Sequence, residues 1–93
     1  MSKVILQGYI VVHDDDLSAV LAELPQHIKL TLQEEGCLVF RVNQDPDNIN
    51  RFNIYEEFTN RVEFEAHQER VANSRWGQIA INIERHYQIS GDS

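Results

Sequence analysis

The spacing of hydrophobic and polar positions divides the first part of the chain into a strand and a long helix. Residues 4–12 are rich in β-branched side chains and contain a glycine, which indicates a strand. Apolar positions then recur with the helical period over residues 17–35. Asp14 is the predicted N-cap of this helix, and Gly36 its predicted end. Pro25 interrupts the helix without breaking the apolar phase, so we expect one kinked helix or two nearly collinear helices.

The middle of the chain has the pattern of a hairpin followed by a helix. Residues 37–44 and 51–58 have strand patterns, and the turn-forming residues 45–48 lie between them. Asn60 precedes Glu63 by three positions, which is the spacing of a helix-capping box. A second helix is therefore expected to begin there.

The last third of the chain completes a recognisable order of elements. The second helix carries Phe64 and His67 on one face, a further turn runs through Trp76, and residues 82–89 have the pattern of a strand. The order β-α-β-β-α-β is that of a ferredoxin-like α+β domain, with one antiparallel sheet and helices on one face.

Both faces of the first strand carry apolar side chains. Leu6 and Ile10 lie on one face, and Ile5, Tyr9 and Val11 lie on the other. Two helices can cover only one face of a sheet. We therefore predict a homodimer whose sheets pack face to face, a dimeric α+β barrel.

Composition and charge limit the partners. The 93 residues are enough for one core, so we expect a single domain over residues 1–93, with 90–93 as a frayed tail. The net charge of −7 argues against nucleic acid and anionic membranes as partners. No apolar run approaches the roughly 20 residues that span a bilayer. The N-terminus lacks signal-peptide features, and Cys37 is the only cysteine, which fits a cytoplasmic protein. The His and Cys residues have no zinc-ligand spacing, and there is no glycine-rich phosphate loop, so no metal or cofactor is predicted.

A longer pattern points to a family. The string LQEEGCLVFRVNQDPDNINRFNIYEEF at residues 32–58, followed by a helix that ends in AHQ, resembles the antibiotic biosynthesis monooxygenase family of small dimeric α+β barrel proteins. The matching pieces are Glu34-Glu35-Gly36, then Leu38, Phe40 and Val42 on one strand phase, then Gln44-Asp45-Pro46, Arg51-Phe52, Ile54-Tyr55-Glu56-x-Phe58, and His67. The resemblance is closest to the branch that contains quinol monooxygenases and the autoinducer-2 degrading isomerase.

The resemblance implies cofactor-independent chemistry in a pocket between the sheet and the helices. A substrate with an acidic O–H or C–H is deprotonated there, and in the monooxygenases its anion reacts with dioxygen. Relatives that oxidise polycyclic polyketides carry Asn, Trp and Tyr where this chain has Ile54, Phe58 and Phe64. Haem-degrading relatives carry Asn and His near the positions of Gly8 and Gly77. Both substrate classes are therefore disfavoured.

Two polar residues on apolar faces are the predicted catalytic groups. His67 shares a helix face with Phe64 and suits a general base at neutral pH, although a lone histidine can also be a core residue. Glu56 interrupts an apolar strand phase and needs a partner, either His67 or Arg85. We expect Glu56 to raise the pKa of His67 and to orient its ring. The predicted substrate-binding residues are Phe52, Ile54, Phe58, Phe64 and Trp76, with core packing as the alternative for Trp76.

The leading functional hypothesis is a cofactor-free monooxygenase that uses dioxygen on a small quinol-like or other acidic substrate. One alternative is an isomerase or degrading enzyme for a small phosphorylated signal molecule, although the scarcity of lysine gives no evident phosphate site. The other alternative is a dimer that binds a small molecule without catalysis.

Overall fold

The structure, a computed structural model, describes residues 3–91 and confirms the ferredoxin-like α+β fold. A four-stranded antiparallel sheet has the order β2-β3-β1-β4. A third helix, α3, forms where the sequence predicts only a further turn. The elements are β1 (Val4–Val11), α1 (Asp14–Leu32), β2 (Cys37–Asp45), β3 (Asn48–Phe58), α2 (Arg61–Ala72), α3 (Arg75–Ile79), a 3₁₀ turn (Ala80–Asn82) and β4 (Glu84–Gly91).

One face of the sheet is buried under the helices. Along β3, every second side chain is buried, namely Phe52, Ile54, Glu56 and Phe58, and the side chains between them are half-buried. Val20 of α1, Phe64 of α2 and Trp76 of α3 join the same core cluster as this face. The strand phase therefore places Glu56 under the helices, as predicted.

The first helix differs from its prediction at both ends. It is one helix with Pro25 inside it, and it ends at Leu32, three residues earlier than expected. The predicted N-cap is wrong. His13 occupies that position, and the carboxylate of Asp14 accepts a hydrogen bond from the side chain of Asn50 at 2.8 Å instead.

A β-bulge shifts the start of β2. The pairing register changes between Cys37 and Val39, so Cys37 packs against the core and Leu38 is 51% exposed. The prediction that Leu38 shares a strand phase with Phe40 is therefore wrong, because a bulge adds a residue that simple alternation does not include. The hairpin is also tighter than predicted, since Asp45 pairs with Asn48.

The second helix begins as predicted, and the last strand begins and ends two residues later than predicted. The side chain of Asn60 accepts a hydrogen bond from the backbone N–H of Glu63 at 2.9 Å. Ser90 and Gly91, which we expected in a frayed tail, pair with β1. Asp92 and Ser93, the rest of that predicted tail, lie outside the described residues. None of the helices within residues 3–91 is long and apolar enough to cross a membrane.

Candidate active site

A cavity of about 110 Å³ lies between the sheet and the helices. Its wall combines apolar, aromatic and polar side chains, with contributions from all four strands and all three helices. The polar residues in the wall are His27, Glu56, His67, Gln68 and Arg85, together with the phenol of Tyr87. An enclosed space in which polar groups converge among apolar side chains is typical of small-molecule sites.

One ring nitrogen of His67 is hydrogen-bonded to Glu34, and the other faces Glu56. Nδ1 lies 2.8 Å from Oε1 of Glu34, and Nε2 lies 3.9 Å from Oε1 of Glu56. Because Glu34 is a carboxylate acceptor, Nδ1 carries the proton and Nε2 keeps its lone pair. The rings of Phe40 and Phe58 pack around the imidazole, with centroids 5.9 and 4.8 Å away. The ring is therefore oriented as a base.

Glu34 contacts His67 at this site, and the sequence analysis does not single it out as a site residue. Its second oxygen accepts a hydrogen bond from Nε of Arg70, whose other arm donates to the hydroxyl of Thr31 at 3.0 Å. Thr31 in turn donates to the backbone carbonyl of His27 at 2.8 Å. The first helix ends just before Glu34, which lets the carboxylate turn towards α2. The signal available in the sequence was the Glu34-Glu35-Gly36 motif of the family resemblance.

Glu56 is buried without a hydrogen-bond partner. It is 6% exposed, and Oε1 has no partner among the described residues. Burial, with a smaller contribution from the charge of Glu34, raises its pKa to about 8, so the carboxyl is mostly neutral at pH 7. Burial lowers the pKa of His67, and the hydrogen bond and charge of Glu34 only partly offset this.

The predicted relation between Glu56 and His67 is therefore wrong in two respects. Glu56 does not raise the pKa of His67, because a buried carboxyl that is mostly neutral supplies little charge. Glu34, and not Glu56, orients the ring. Arg85, the alternative partner of Glu56, donates to the backbone carbonyls of Ile83 and Ala80 at 3.1 and 3.0 Å.

His27 is a second residue of the cavity wall that the sequence analysis missed. Its ring stacks on Trp76 at 4.5 Å with an interplanar angle of 2°, and Nδ1 is buried with no partner among residues 3–91. Burial, followed by the nearby His67 and Arg70, lowers its pKa to about 3, so the ring is neutral. The available signal was its helical spacing: His27 lies seven residues after Val20 and four before Thr31, and all three are buried.

The predicted substrate-binding residues separate into two groups. Ile54 and Trp76 line the cavity. Phe52, Phe58 and Phe64 do not line it and belong to the core, where Phe58 and Phe64 pack edge to face at 5.6 Å. Their assignment to the wall is corrected, because strand and helix phase define a face but not the depth at which a side chain meets a cavity.

The arrangement provides a base and a neutral acid in one cavity. The gap of 3.9 Å between Nε2 of His67 and Oε1 of Glu56 is too long for a hydrogen bond, and an oxygen atom of a ligand can bridge it. Nε2 can accept a proton from that oxygen, and the Glu56 carboxyl can donate one. Within residues 3–91, no three His, Cys, Asp or Glu side chains form a group that could hold a metal ion.

Comparison with models of protein families assigns the chain to one family. The model of the family described as "Antibiotic biosynthesis monooxygenase" matches residues 3–76, and the chain belongs to that family. A search of curated proteins finds no match to the chain.

Solved structures show the same fold at low sequence identity. A candidate antibiotic biosynthesis monooxygenase from Nitrosomonas europaea has a TM-score of 0.75 and 21% identity, over 100% of this chain and 97% of that one. A similarly described protein from Deinococcus radiodurans has a TM-score of 0.73 and 22% identity, over 97% and 90%. A conserved protein of unknown function from Bacteroides thetaiotaomicron, described as a candidate oxidoreductase, has a TM-score of 0.75 and 18% identity, over 98% and 96%.

Proposed function

We propose that the protein is a cofactor-free monooxygenase that acts on a compact hydroquinone-like substrate in this cavity. The observation that carries the proposal is the orientation of His67. Glu34 is hydrogen-bonded to Nδ1, so the lone pair of Nε2 is directed towards the neutral carboxyl of Glu56. The volume of about 110 Å³ is of the same order as the roughly 150 Å³ that holds a benzene ring. A single-ring substrate fits this scale, and a polycyclic one does not.

The proposed reaction begins with proton transfer from a substrate O–H to Nε2 of His67. The imidazolium that forms is stabilised by the carboxylate of Glu34. The substrate anion then gives an electron to dioxygen, and the two radicals combine at a ring carbon to form a peroxide, which takes up the proton. Loss of water leaves a carbonyl, so one hydroquinone and one dioxygen yield one hydroxyquinone and one water. The direct test is dioxygen uptake with a panel of hydroquinones, and no uptake above the buffer rate would remove the proposal.

The phosphorylated-signal alternative has less support in the cavity. Arg85 is the only Lys or Arg side chain in the wall, and two of its nitrogens already donate to backbone carbonyls. Binding a phosphate there would leave its charge mostly uncompensated in a low-dielectric site. A cytoplasmic location forms part of the proposal, supported by the free thiol of Cys37.

Replacing Glu34 with glutamine is expected to lower kcat roughly 10-fold with little change in KM, since a glutamine can still accept from Nδ1 but cannot stabilise the imidazolium. The pKa of His67 should fall further, because Glu34 raises it. Steady-state kinetics and an NMR titration of His67 measure the two effects. Glu35→Gln is the matched control at an exposed neighbouring carboxylate. Equal kcat in both variants would contradict the orienting role of Glu34.

We also propose that two copies pair through the outward face of the sheet. Ile5, Tyr9, Val11 and Val39 lie on this face and are half-buried in the single chain. Lys3 lies 2.8 Å from Glu57 on this face, so each charge has a partner that offsets part of the desolvation cost when the face is covered.

Sedimentation equilibrium at micromolar concentration is expected to give twice the chain mass of 10.8 kDa. Ile5→Glu should shift the protein towards the monomer, because it places an unpaired charge in the interface. Ile81→Glu, at a 75% exposed position beyond α3, is the control and should leave the dimer intact. A wild-type monomer at this concentration would refute the dimer.

A further inference from the structure

The cavity wall contains a buried polar atom, on His27, that the proposed reaction does not use. Nδ1 of His27 has no partner among the described residues, and the side chain is 6% exposed. Glu56 Oε1 is the other such atom, and both residues line the same cavity. Buried polar groups in folded proteins are nearly always hydrogen-bonded, so two unpaired atoms in one cavity indicate a ligand with two polar groups.

The geometry around His27 fixes the ring rather than leaving it free to turn away. One flat side of the imidazole stacks on Trp76, and Phe40 meets it edge to face at 5.3 Å with an angle of 81°. The backbone carbonyl of His27 is also held by the hydroxyl of Thr31. The ring is thus preorganised before any ligand arrives.

We propose that His27 is a specificity-determining residue, whose Nδ1 pairs with a second, uncharged oxygen of the substrate while the first oxygen lies between Glu56 and His67. The ring centroids of His27 and His67 are 6.4 Å apart, which is close enough for one small ligand to contact both imidazoles. A neutral imidazole favours a hydroxyl or carbonyl over a carboxylate or phosphate. The inference rests on the proposed function and assigns recognition of the second oxygen of the hydroquinone-like substrate to His27.

Binding of two probes tests this under anaerobic conditions without turnover. Hydroquinone has both oxygens, and phenol lacks one. Trp76 is the only tryptophan, so its indole N–H gives a single NMR signal at the wall of the cavity. Wild-type protein is expected to bind hydroquinone roughly 10-fold more tightly than phenol, the effect of one neutral hydrogen bond.

Two variants separate the polar atom from the ring. His27→Phe keeps an aromatic ring against Trp76 and should remove the preference for hydroquinone. His27→Asn keeps a polar atom near the position of Nδ1 and should retain part of it. His13→Phe, at an exposed position, should change nothing. An unchanged preference in His27→Phe, or no binding of either probe to the wild type, would overturn the proposal.

A measurement on the wild type covers the case in which the variants fail to fold. The ¹⁵N signal of Nδ1 of His27 should move when hydroquinone binds and should move much less with phenol, and equal movement with both would contradict the pairing. Preferential binding without dioxygen uptake would leave the role of His27 standing and remove the monooxygenase function. Dioxygen uptake without preferential binding of hydroquinone would remove the role of His27 and leave the monooxygenase function standing.

Discussion

Replacing His67 with alanine is expected to lower kcat/KM for a hydroquinone by roughly 10²-fold or more, as for the loss of a general base. Nε2 of His67 is the only imidazole nitrogen that lies within 4 Å of Glu56 among the described residues, so no neighbour replaces it. Added imidazole should restore part of the activity by entering the space that the side chain leaves. Dioxygen uptake under steady-state conditions measures both effects.

The pH profile gives this prediction a second readout. Activity needs neutral His67, so it should fall as the pH drops through the pKa of His67, which burial holds below the ordinary value of 6.5. His13→Ala, at an exposed position, is the control and should keep the wild-type profile. Turnover that is unchanged in a folded His67→Ala variant would show that another group is the base.

The second large effect concerns stability and comes from Glu56. Its pKa is about 8 in the folded protein against an ordinary 4.5, so between these values the folded state keeps a proton that the unfolded chain releases. The free energy of unfolding should therefore fall as the pH rises from about 4.5 through about 8. Glu56→Gln cannot ionise and should be more stable than the wild type at pH 9 by on the order of 5 kcal/mol.

Urea unfolding at pH 5 and pH 9 measures this difference, which should be small at the lower pH. Glu57→Gln is the matched control on the same strand. Glu57 faces outwards, and its hydrogen bonds to Lys3 and Tyr55 lower its pKa, so the substitution should not restore stability at high pH. Equal alkaline losses in wild type and Glu56→Gln would contradict the buried neutral carboxyl.

His27 changes the free energy of unfolding with pH in the opposite direction. Its pKa is about 3 in the folded protein against an ordinary 6.5, so the unfolded chain binds a proton that the folded state refuses. Stability should fall as the pH drops from about 6.5 towards 3. The slopes from His27 and Glu56 oppose each other between about pH 4.5 and 6.5, and the stability contributed by this pair is highest there.

The meeting of Glu56 and His67 was predictable because both depend on local periodicity. A strand alternates with period two, and a helix repeats every 3.6 residues, so each side chain is assigned to a face without knowledge of the rest. Packing α2 on the sheet then brings the two faces together. The same argument correctly placed Ile54 on the buried face of the sheet.

The parts of the site that escaped prediction depend on where elements end and how deep side chains lie. Glu34 lies beyond the end of α1 at Leu32 and reaches His67, whereas the sequence analysis extended the helix to residue 35 because it took Gly36 as the end. Leu38 does not share the buried phase of Phe40 because of a β-bulge, which the alternating pattern of the sequence does not show. The predicted direction of the pKa shift of His67 is wrong for a different reason. Burial of the imidazole lowers the pKa by more than the neighbouring charges raise it.

The fate of labelled dioxygen tests the central claim most directly. The proposed reaction places one atom of each dioxygen in the product and the other in water. Incubation of the cofactor-free protein with hydroquinone and ¹⁸O₂ should therefore give a hydroxyquinone with one labelled oxygen and no hydrogen peroxide. An unlabelled quinone, formed with an equal amount of hydrogen peroxide, would show that the protein oxidises the substrate without inserting oxygen.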